Sequence, residues 1–249
     1  MEDLDRPRVV PGADRDILNT LERYGLTWDG EVVYQSQRIH LYDEALESLR
    51  RKNLIFDCAC SRAELQRAAS APAASDPTEA VYPGICRDGL PHGRVARSVR
   101  FRASGVIAFD DLIAGHVEED VATSTGDFVI KRADGVFAYQ LAVVVDDEAQ
   151  GVTQVVRGAD LLASTPRQIA LQRALGFRTP EYAHVPLVLD ENGAKISKRD
   201  GALPPSDMRG SLQLALQHLG IEVERDEPAN MMDQARFCVG AGFSRHSAG

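Results

Sequence analysis

Lysine is scarce in this 249-residue sequence: only four of the 28 basic residues are lysines, so a cation is usually arginine. Long hydrophobic runs are lacking too, since no stretch approaches the roughly 18 to 20 apolar residues of a membrane span. The opening residues, Met1 to Asp5, carry neither the basic nor the apolar segment of a secretory signal. We therefore expect a globular protein of the cytoplasm that does not associate with a membrane.

The charge balance is acidic, with 37 Asp and Glu against 28 Lys and Arg and a formal net charge of -9. Such a charge argues against a generally basic surface, so any contact with RNA has to be local. One local reversal exists, in which Asp88 is the single acid in a stretch rich in arginine. It fits a phosphate-contacting patch, or the solvated face of a small sheet. The arginines of this stretch are Arg87, Arg94, Arg97, Arg100 and Arg102.

Cysteine is also rare, and three of the four cysteines lie close together in the sequence. Cys58, Cys60 and Cys86, with Tyr82, offer three thiolates and a phenol, and in a reducing compartment such a group indicates a metal site more readily than disulfides. Zinc takes four such ligands in tetrahedral geometry, and the site would be structural. His92 is an alternative fourth ligand. Alternatively, the cysteines are simply small buried residues near the end of a strand.

Hydrophobic periodicity predicts alternating helices and strands, hence an α/β protein. Helical spacing is found in residues 17–24, 39–49, 164–175 and 212–219, and a capping box at Ser61 and Glu64 begins a short helix. Short apolar runs at 54–56, 152–156 and 184–189 predict strands, and alternating runs between 95 and 130 predict a small antiparallel sheet. VFAYQLAVVVDD is apolar nearly throughout and predicts a buried element that ends in two acids at the edge of a crevice.

Two of the four lysines, Lys195 and Lys198, stand in the stretch GAKISKRDG. A flexible stem that ends in a compact ammonium can follow phosphates whose charge changes during a reaction. Gly193 and Gly201 leave the loop free to close. By spacing alone, the motif is weak and an ordinary surface loop is the favoured interpretation.

Several segments together resemble one family. KISKR resembles the KMSKS loop of class I aminoacyl-tRNA synthetases, and FAYQLAVVVDD with GVTQVVRGADLLASTPRQ resembles the catalytic core of glutamyl-tRNA synthetases. EDLDRPRVVPGA, YGLTWDG, YQSQR, CACSRAEL and YPGICR are similar to a shortened branch, the glutamyl-queuosine tRNA(Asp) synthetases. These segments cover the chain to about residue 220.

The resemblance implies a Rossmann-like class I catalytic core that activates L-glutamate with ATP and Mg²⁺ and transfers it to queuosine in the anticodon of tRNA(Asp). It implies that Glu2 holds the substrate ammonium and that Tyr139 and Arg157 contact the glutamate. Lys195 and Lys198 would be catalytic, with Lys198 contacting ATP. It places structural Zn²⁺ on Cys58, Cys60, Tyr82 and Cys86 and indicates a monomer.

The resemblance also predicts how the chain is divided. The core would comprise residues 1–56 and 104–202, interrupted by a zinc-binding insertion at 57–103 and followed by a short helical tail at 203–249 without an anticodon-binding domain. The family's first strand and HIGH motif would precede Glu2, and no such motif occurs in this sequence. We therefore expect residues 1–249 alone to be inactive and an N-terminally extended form to be active. The alternatives are a fragment of a glutamyl-tRNA synthetase and a non-catalytic, zinc-stabilised RNA-binding protein.

Overall fold

The computed structural model describes residues 1–68, 81–189 and 207–240, the side chains of 66–68 and 236–240 excepted. The α-helices are α1 (Ala13–Arg23), α2 (Ile39–Arg51), α3 (Arg62–Ala68), α4 (Val121–Ser124), α5 (Tyr139–Ala149), α6 (Thr165–Leu175), α7 (Met208–His218) and α8 (Pro228–Gly240). The strands are β1 (Ile55–Cys58), β2 (Ser98–Phe101), β3 (Val106–Asp111), β4 (Gly115–Asp120), β5 (Phe128–Lys131), β6 (Gln154–Gly158) and β7 (Glu181–Val185). Short 3-10 helices lie at Arg6–Arg8, Gln35–Gln37 and Ala159–Ser164.

The smaller sheet is antiparallel throughout, in the order β1-β2-β5. Ile55 lies opposite Phe101, and the Phe101 and Phe128 rings are in contact, with centroids 5.3 Å apart. Cys58 ends β1 opposite Ser98, so the register carries this cysteine to the margin of the sheet. The predicted small antiparallel sheet is thus confirmed for the segments that form β2 and β5.

The larger sheet is mixed, in the order β4-β3-β7-β6. β3 and β4 form an antiparallel hairpin, whereas β7 runs parallel to both β3 and β6. The expectation that VIAF joins the small antiparallel sheet was therefore wrong, because β3 pairs with β4 and β7 instead. Arg157 of β6 lies in register with His184 of β7, so their side chains meet on one face of the sheet.

The main core is formed by helices packed against these strands. α2 shows why its spacing predicted a helix: its four buried residues follow the intervals of one helical face. They are Tyr42, Ala45, Leu46 and Leu49. The neighbouring helices α5 and α6 contribute further completely buried residues, Leu141, Ile169 and Leu171.

Most predicted elements are present, with shifts at their ends. The apolar run that follows Ala138 is the helix α5, which is buried on most sides. α6 ends at Leu175, and the next residue, Gly176, has a φ of 84°, the left-handed conformation that glycine adopts after the end of a helix. The strand predicted at 184–189 lies earlier, at β7, and α8 was not predicted.

The chain divides into two compact units. One comprises Glu2–Arg6 and Val33–Pro186 and contains both sheets. The other comprises Met1, Pro7–Val32 and Leu187–Gly249, and its described core is formed by Leu212, Leu216, Met231 and Ala235. The domain limits expected from the sequence remain a prediction. Within the described ranges, no helix is long and apolar enough to cross a membrane.

Candidate active site and metal centre

Arg157 is the centre of a polar network in the larger unit. Its Nε lies 3.1 Å from Nε2 of His184, and its Nη2 donates to Thr165 Oγ1 at 2.9 Å and to Gln168 Oε1 at 2.7 Å. Its Nη1 lies 3.4 Å from the hydroxyl of Tyr139. The guanidinium is therefore held on three sides, with the Nη1 edge directed toward Tyr139.

Tyr139 begins α5, which brings the ring from the helix N-terminus to the sheet that carries Arg157. Burial raises the pKa of its hydroxyl; the Arg157 charge acts in the opposite direction, and the Glu2 charge raises it further. The phenol is accordingly neutral near pH 7 and can donate one hydrogen bond and accept another.

Glu2 lies in the same electrostatic environment. Burial raises the pKa of its carboxyl and so does the charge of Asp146, whereas Arg157 lowers it. The backbone beside Glu2 is anchored, because Asp3 accepts hydrogen bonds from the backbone N–H and the hydroxyl of Ser36, at 2.8 and 2.5 Å. The structure therefore places Arg157 and Tyr139 in contact, and the charge of Arg157 influences the carboxyl of Glu2. Their binding of glutamate remains a proposal.

The two acids at the end of α5 have different environments. Asp146 is buried and accepts hydrogen bonds from Gln35 Nε2 at 3.0 Å, Arg38 Nε at 2.6 Å and the Tyr42 hydroxyl at 2.8 Å. Asp147 is half-buried, and burial raises its pKa to about 6; Arg157 lowers it, whereas the charges of Asp146 and Glu2 raise it. Asp146 is thus a structural anchor, and Asp147 belongs to the electrostatic environment of Glu2 and Arg157.

Four residues around Arg157 were missed by the sequence analysis. Two of them begin α6 within the stretch GVTQVVRGADLLASTPRQ, whereas the other two lie on β3 and β7 outside any quoted motif, so only the cross-strand register reveals the latter pair. They are Asp111, Thr165, Gln168 and His184.

The three clustered cysteines meet in space, as the sequence predicted. The sulfur atoms of Cys58, Cys60 and Cys86 all lie within 4.8 Å of one another, and those of Cys60 and Cys86 are 3.7 Å apart. The Tyr82 hydroxyl lies 3.6 Å from the Cys58 sulfur and 3.7 Å from the Cys60 sulfur. It also accepts a hydrogen bond of 2.7 Å from the backbone N–H of Cys86.

This cluster fits the ligand shell of zinc. Four sulfur atoms at about 2.3 Å from a tetrahedral zinc ion lie about 3.8 Å from one another, close to the distances observed here. Burial opposes ionisation of Cys58, but hydrogen bonds that involve Tyr82 and the backbone of Cys60 outweigh it and lower the Cys58 pKa. Burial raises the pKa of Cys60 to about 11. His92 is exposed, and among the described residues it does not join the three sulfurs, so Tyr82 is the better fourth ligand.

The arginine-rich stretch is largely used within the fold. Arg87 and Arg94 form ion pairs at 2.9 and 2.8 Å, while the guanidinium groups of Arg100 and Arg102 lie 4.0 and 5.0 Å from aromatic ring centroids. These contacts favour a structural role over a phosphate-contacting patch. The four partners are, in the same order, Asp127, Glu64, Tyr82 and Phe56. Lys195 and Lys198 lie outside the described residues.

The sequence profile of class I tRNA synthetases for Glu and Gln, catalytic domain, matches residues 1–211. The chain belongs to this family. The Glutamyl-Q tRNA(Asp) synthetase of Geobacter sulfurreducens is 60% identical over 204 residues, which are 82% of this chain and 65% of the relative. The protein of the same name from Aromatoleum aromaticum is 54% identical over 225 residues, covering 88% of this chain and 69% of the relative.

Solved structures of this family share the fold. A glutamate tRNA ligase from Elizabethkingia meningosepticum, crystallised with its amino acid, is 29% identical and superimposes with a TM-score of 0.68 over 81% of this chain and 45% of its own. The expected α/β catalytic fold of the class I synthetases is thereby confirmed. The chain spans about two thirds of the length of the curated relatives.

Proposed function

We propose that this protein activates L-glutamate with ATP and transfers it to queuosine in tRNA(Asp). The observation that carries the proposal is the contact between Arg157 and Tyr139 in the electrostatic environment of Glu2. The Nη1 group of the Arg157 guanidinium can donate a charge-assisted hydrogen bond to a carboxylate, and a carboxylate suits an ammonium, so the group presents what a free amino acid requires. The names of the relatives support the choice of tRNA(Asp).

The reaction would proceed in two steps. The α-carboxylate of glutamate attacks the α-phosphorus of ATP, which forms glutamyl-adenylate and releases pyrophosphate. A hydroxyl of queuosine then attacks the activated carbonyl, which forms an ester, and AMP leaves. Arg157 and Tyr139 hold and orient the amino acid, and Glu2 holds its ammonium. Catalysis of this kind rests on positioning and on charge.

The triphosphate needs cations of its own. We propose that Lys195 and Lys198 contact ATP and that Mg²⁺ enters with the nucleotide and neutralises part of its charge. An ammonium on a flexible stem suits this role because the phosphate charge is redistributed when pyrophosphate leaves.

We also propose that Cys58, Cys60, Tyr82 and Cys86 hold a structural zinc ion. The support is the spacing of the four atoms and their chemistry, which is that of a tetrahedral zinc shell. The ion would link the end of β1 to the segment around Tyr82 and would take no part in the reaction.

The glutamate site is tested by glutamate-dependent exchange of pyrophosphate into ATP, measured with the protein and its variants. Exchange is expected, and Arg157→Lys is expected to reduce kcat/KM for glutamate by at least 100-fold, because an ammonium has fewer donors than a guanidinium and cannot contact the present partners of Arg157 and the carboxylate together. The exposed Arg178 supplies a matched control, Arg178→Lys, which should leave exchange unchanged. If Arg157→Lys behaves like its control, Arg157 does not bind glutamate.

A further inference from the structure

Asp111, His184 and Arg157 lie on three neighbouring strands of the larger sheet. Asp111 ends β3, His184 lies in β7, and Arg157 lies in β6 in register with His184. Nδ1 of His184 is 2.6 Å from Oδ2 of Asp111, and both side chains are completely buried. Nε2 of the same ring is 3.1 Å from Nε of Arg157.

The hydrogen bonds determine which nitrogen of His184 carries the proton. An arginine N–H can only donate, so Nε2 of His184 accepts from Nε of Arg157. The Thr165 hydroxyl also lies 3.1 Å from Nε2, and since its oxygen already accepts from Arg157 Nη2, its proton is available for donation to this nitrogen. The proton of a neutral imidazole is then on Nδ1, where it is donated to Asp111. Oδ1 of Asp111 in turn accepts from the backbone N–H groups of Ile113, Ala114 and His184, at 3.0, 2.8 and 3.1 Å.

We propose that Asp111 and His184 are positioning residues that fix the orientation of the Arg157 guanidinium. His184 accepts the hydrogen bond of Arg157 Nε, and Thr165 and Gln168 accept those of Nη2. Nη1 is left at the edge beside Tyr139, where it can donate to a carboxylate. The inference rests on the proposed function, because the carboxylate in question is that of glutamate.

Asp111→Asn tests this arrangement with a minimal change in shape. The three backbone donors require an oxygen at the position of Oδ1, so the new amide nitrogen has to replace Oδ2 and face Nδ1 of His184. The amide N–H then donates to Nδ1, and the imidazole proton moves to Nε2. Arg157 then loses the acceptor for its Nε. The same change of histidine tautomer occurs when the aspartate of a serine protease triad is replaced by asparagine.

The first readout is the tautomer of His184, measured by long-range ¹H–¹⁵N correlation in the 249-residue chain with labelled histidine. We expect protonated Nδ1 in the unmodified chain and protonated Nε2 in Asp111→Asn, together with a shift of the Arg157 Nε–H resonance. Asp110 and His116 form an exposed pair with a distance of 2.7 Å, so Asp110→Asn is a matched control that should leave His184 unchanged. Protonated Nε2 in the unmodified chain overturns the inference.

The second readout is the KM for glutamate in the exchange reaction, measured with the same variants. In Asp111→Asn the Arg157 side chain has to become ordered when glutamate binds, and this ordering costs free energy. We therefore expect the KM for glutamate to rise about tenfold. His184→Gln places an amide oxygen where Nε2 was and should retain most of the affinity, whereas the shorter His184→Asn retains a donor for Asp111 but does not reach Arg157. If both variants of His184 have the same KM, or if thermal stability and KM change in proportion in all variants, the role is only structural and the inference is wrong.

The two proposals fail in different ways. If His184 carries its proton on Nδ1 and Arg157 Nε–H responds to Asp111→Asn, but no glutamate-dependent exchange occurs, the positioning holds and the proposed substrate is wrong. If exchange occurs and the glutamate KM is the same in Asp111→Asn as in the unmodified protein, the proposed function stands and the positioning role is refuted.

Discussion

Replacement of Asp146 by alanine is predicted to be among the most destabilising changes in the larger unit. Its carboxylate accepts hydrogen bonds from Gln35, Arg38 and Tyr42, and its side chain is only 9% exposed. Removal leaves the Arg38 guanidinium, itself 18% exposed, without its anionic partner. The loss of one member of a buried ion pair costs about 3–5 kcal/mol. Since a domain has a total stability of about 5–15 kcal/mol, the variant should lose a large part of it.

Urea denaturation followed by far-UV circular dichroism measures this loss, and hydrogen exchange of peptides from α2 and α5 assigns it to the larger unit. A double-mutant cycle with Arg38→Met separates the ion pair from the rest, and a coupling free energy of about 1 kcal/mol or more is expected. The exposed Glu44 lies on α2 beside these residues, so Glu44→Ala serves as control. If Asp146→Ala lowers the free energy of unfolding by less than about 1 kcal/mol, as the control does, the hydrogen bonds and ion pair of Asp146 do not stabilise the larger unit.

Three further outcomes are expected. Burial raises the pKa of Asp147 to about 6. The native state therefore binds a proton at Asp147 more tightly than the unfolded chain does. The stability that this protonated side chain contributes is lost as the pH rises through 6. Asp147→Asn should therefore be about 1–2 kcal/mol more stable than the unmodified protein at pH 7 and equal to it near pH 4, by urea denaturation; a constant difference would contradict this. Elemental analysis should find one zinc per chain, a chelator should lower the melting temperature, and Cys86→Ser but not Cys238→Ser should abolish both effects. Arg87→Ala removes the ion-pair partner of the buried Asp127 and should lower the free energy of unfolding by about 1–3 kcal/mol, with little change in tRNA affinity at physiological salt. A loss of tRNA binding without a loss of stability would instead indicate that the arginine-rich stretch contacts phosphates.

Local pattern was sufficient for much of the fold. The spacing of Tyr42, Leu46 and Leu49 predicted α2 because one helical face is buried, and the glycine after Leu175 predicted the end of α6. The run from Tyr139 is buried on most sides, so periodicity could not say whether it is a helix or a strand. α8 escaped notice because Met231 and Ala235, two of the buried residues among its described side chains, give a weak hydrophobic signal.

The candidate site depended on information that spacing does not contain. The cysteine cluster was visible in the sequence because its three cysteines and Tyr82 lie within 29 residues of one another, from Cys58 to Cys86. Arg157 and Tyr139 were selected only through a family resemblance. Asp111 and His184 were missed because their contact depends on β7 pairing with both β3 and β6, and the register of parallel strands far apart in sequence is not encoded in a local pattern.

The most direct test of the central claim is the position to which labelled glutamate is transferred. The protein is incubated with ATP, labelled glutamate and tRNA(Asp), which is either intact or lacks its 3' adenosine and which carries either queuosine or guanosine in the anticodon. We expect label to enter the queuosine-containing tRNA with or without the 3' adenosine, to be absent from the guanosine form that lacks this adenosine, and to be incorporated less by Arg157→Lys. Label that enters only tRNA with an intact 3' end would show ordinary aminoacylation and would exclude transfer to queuosine.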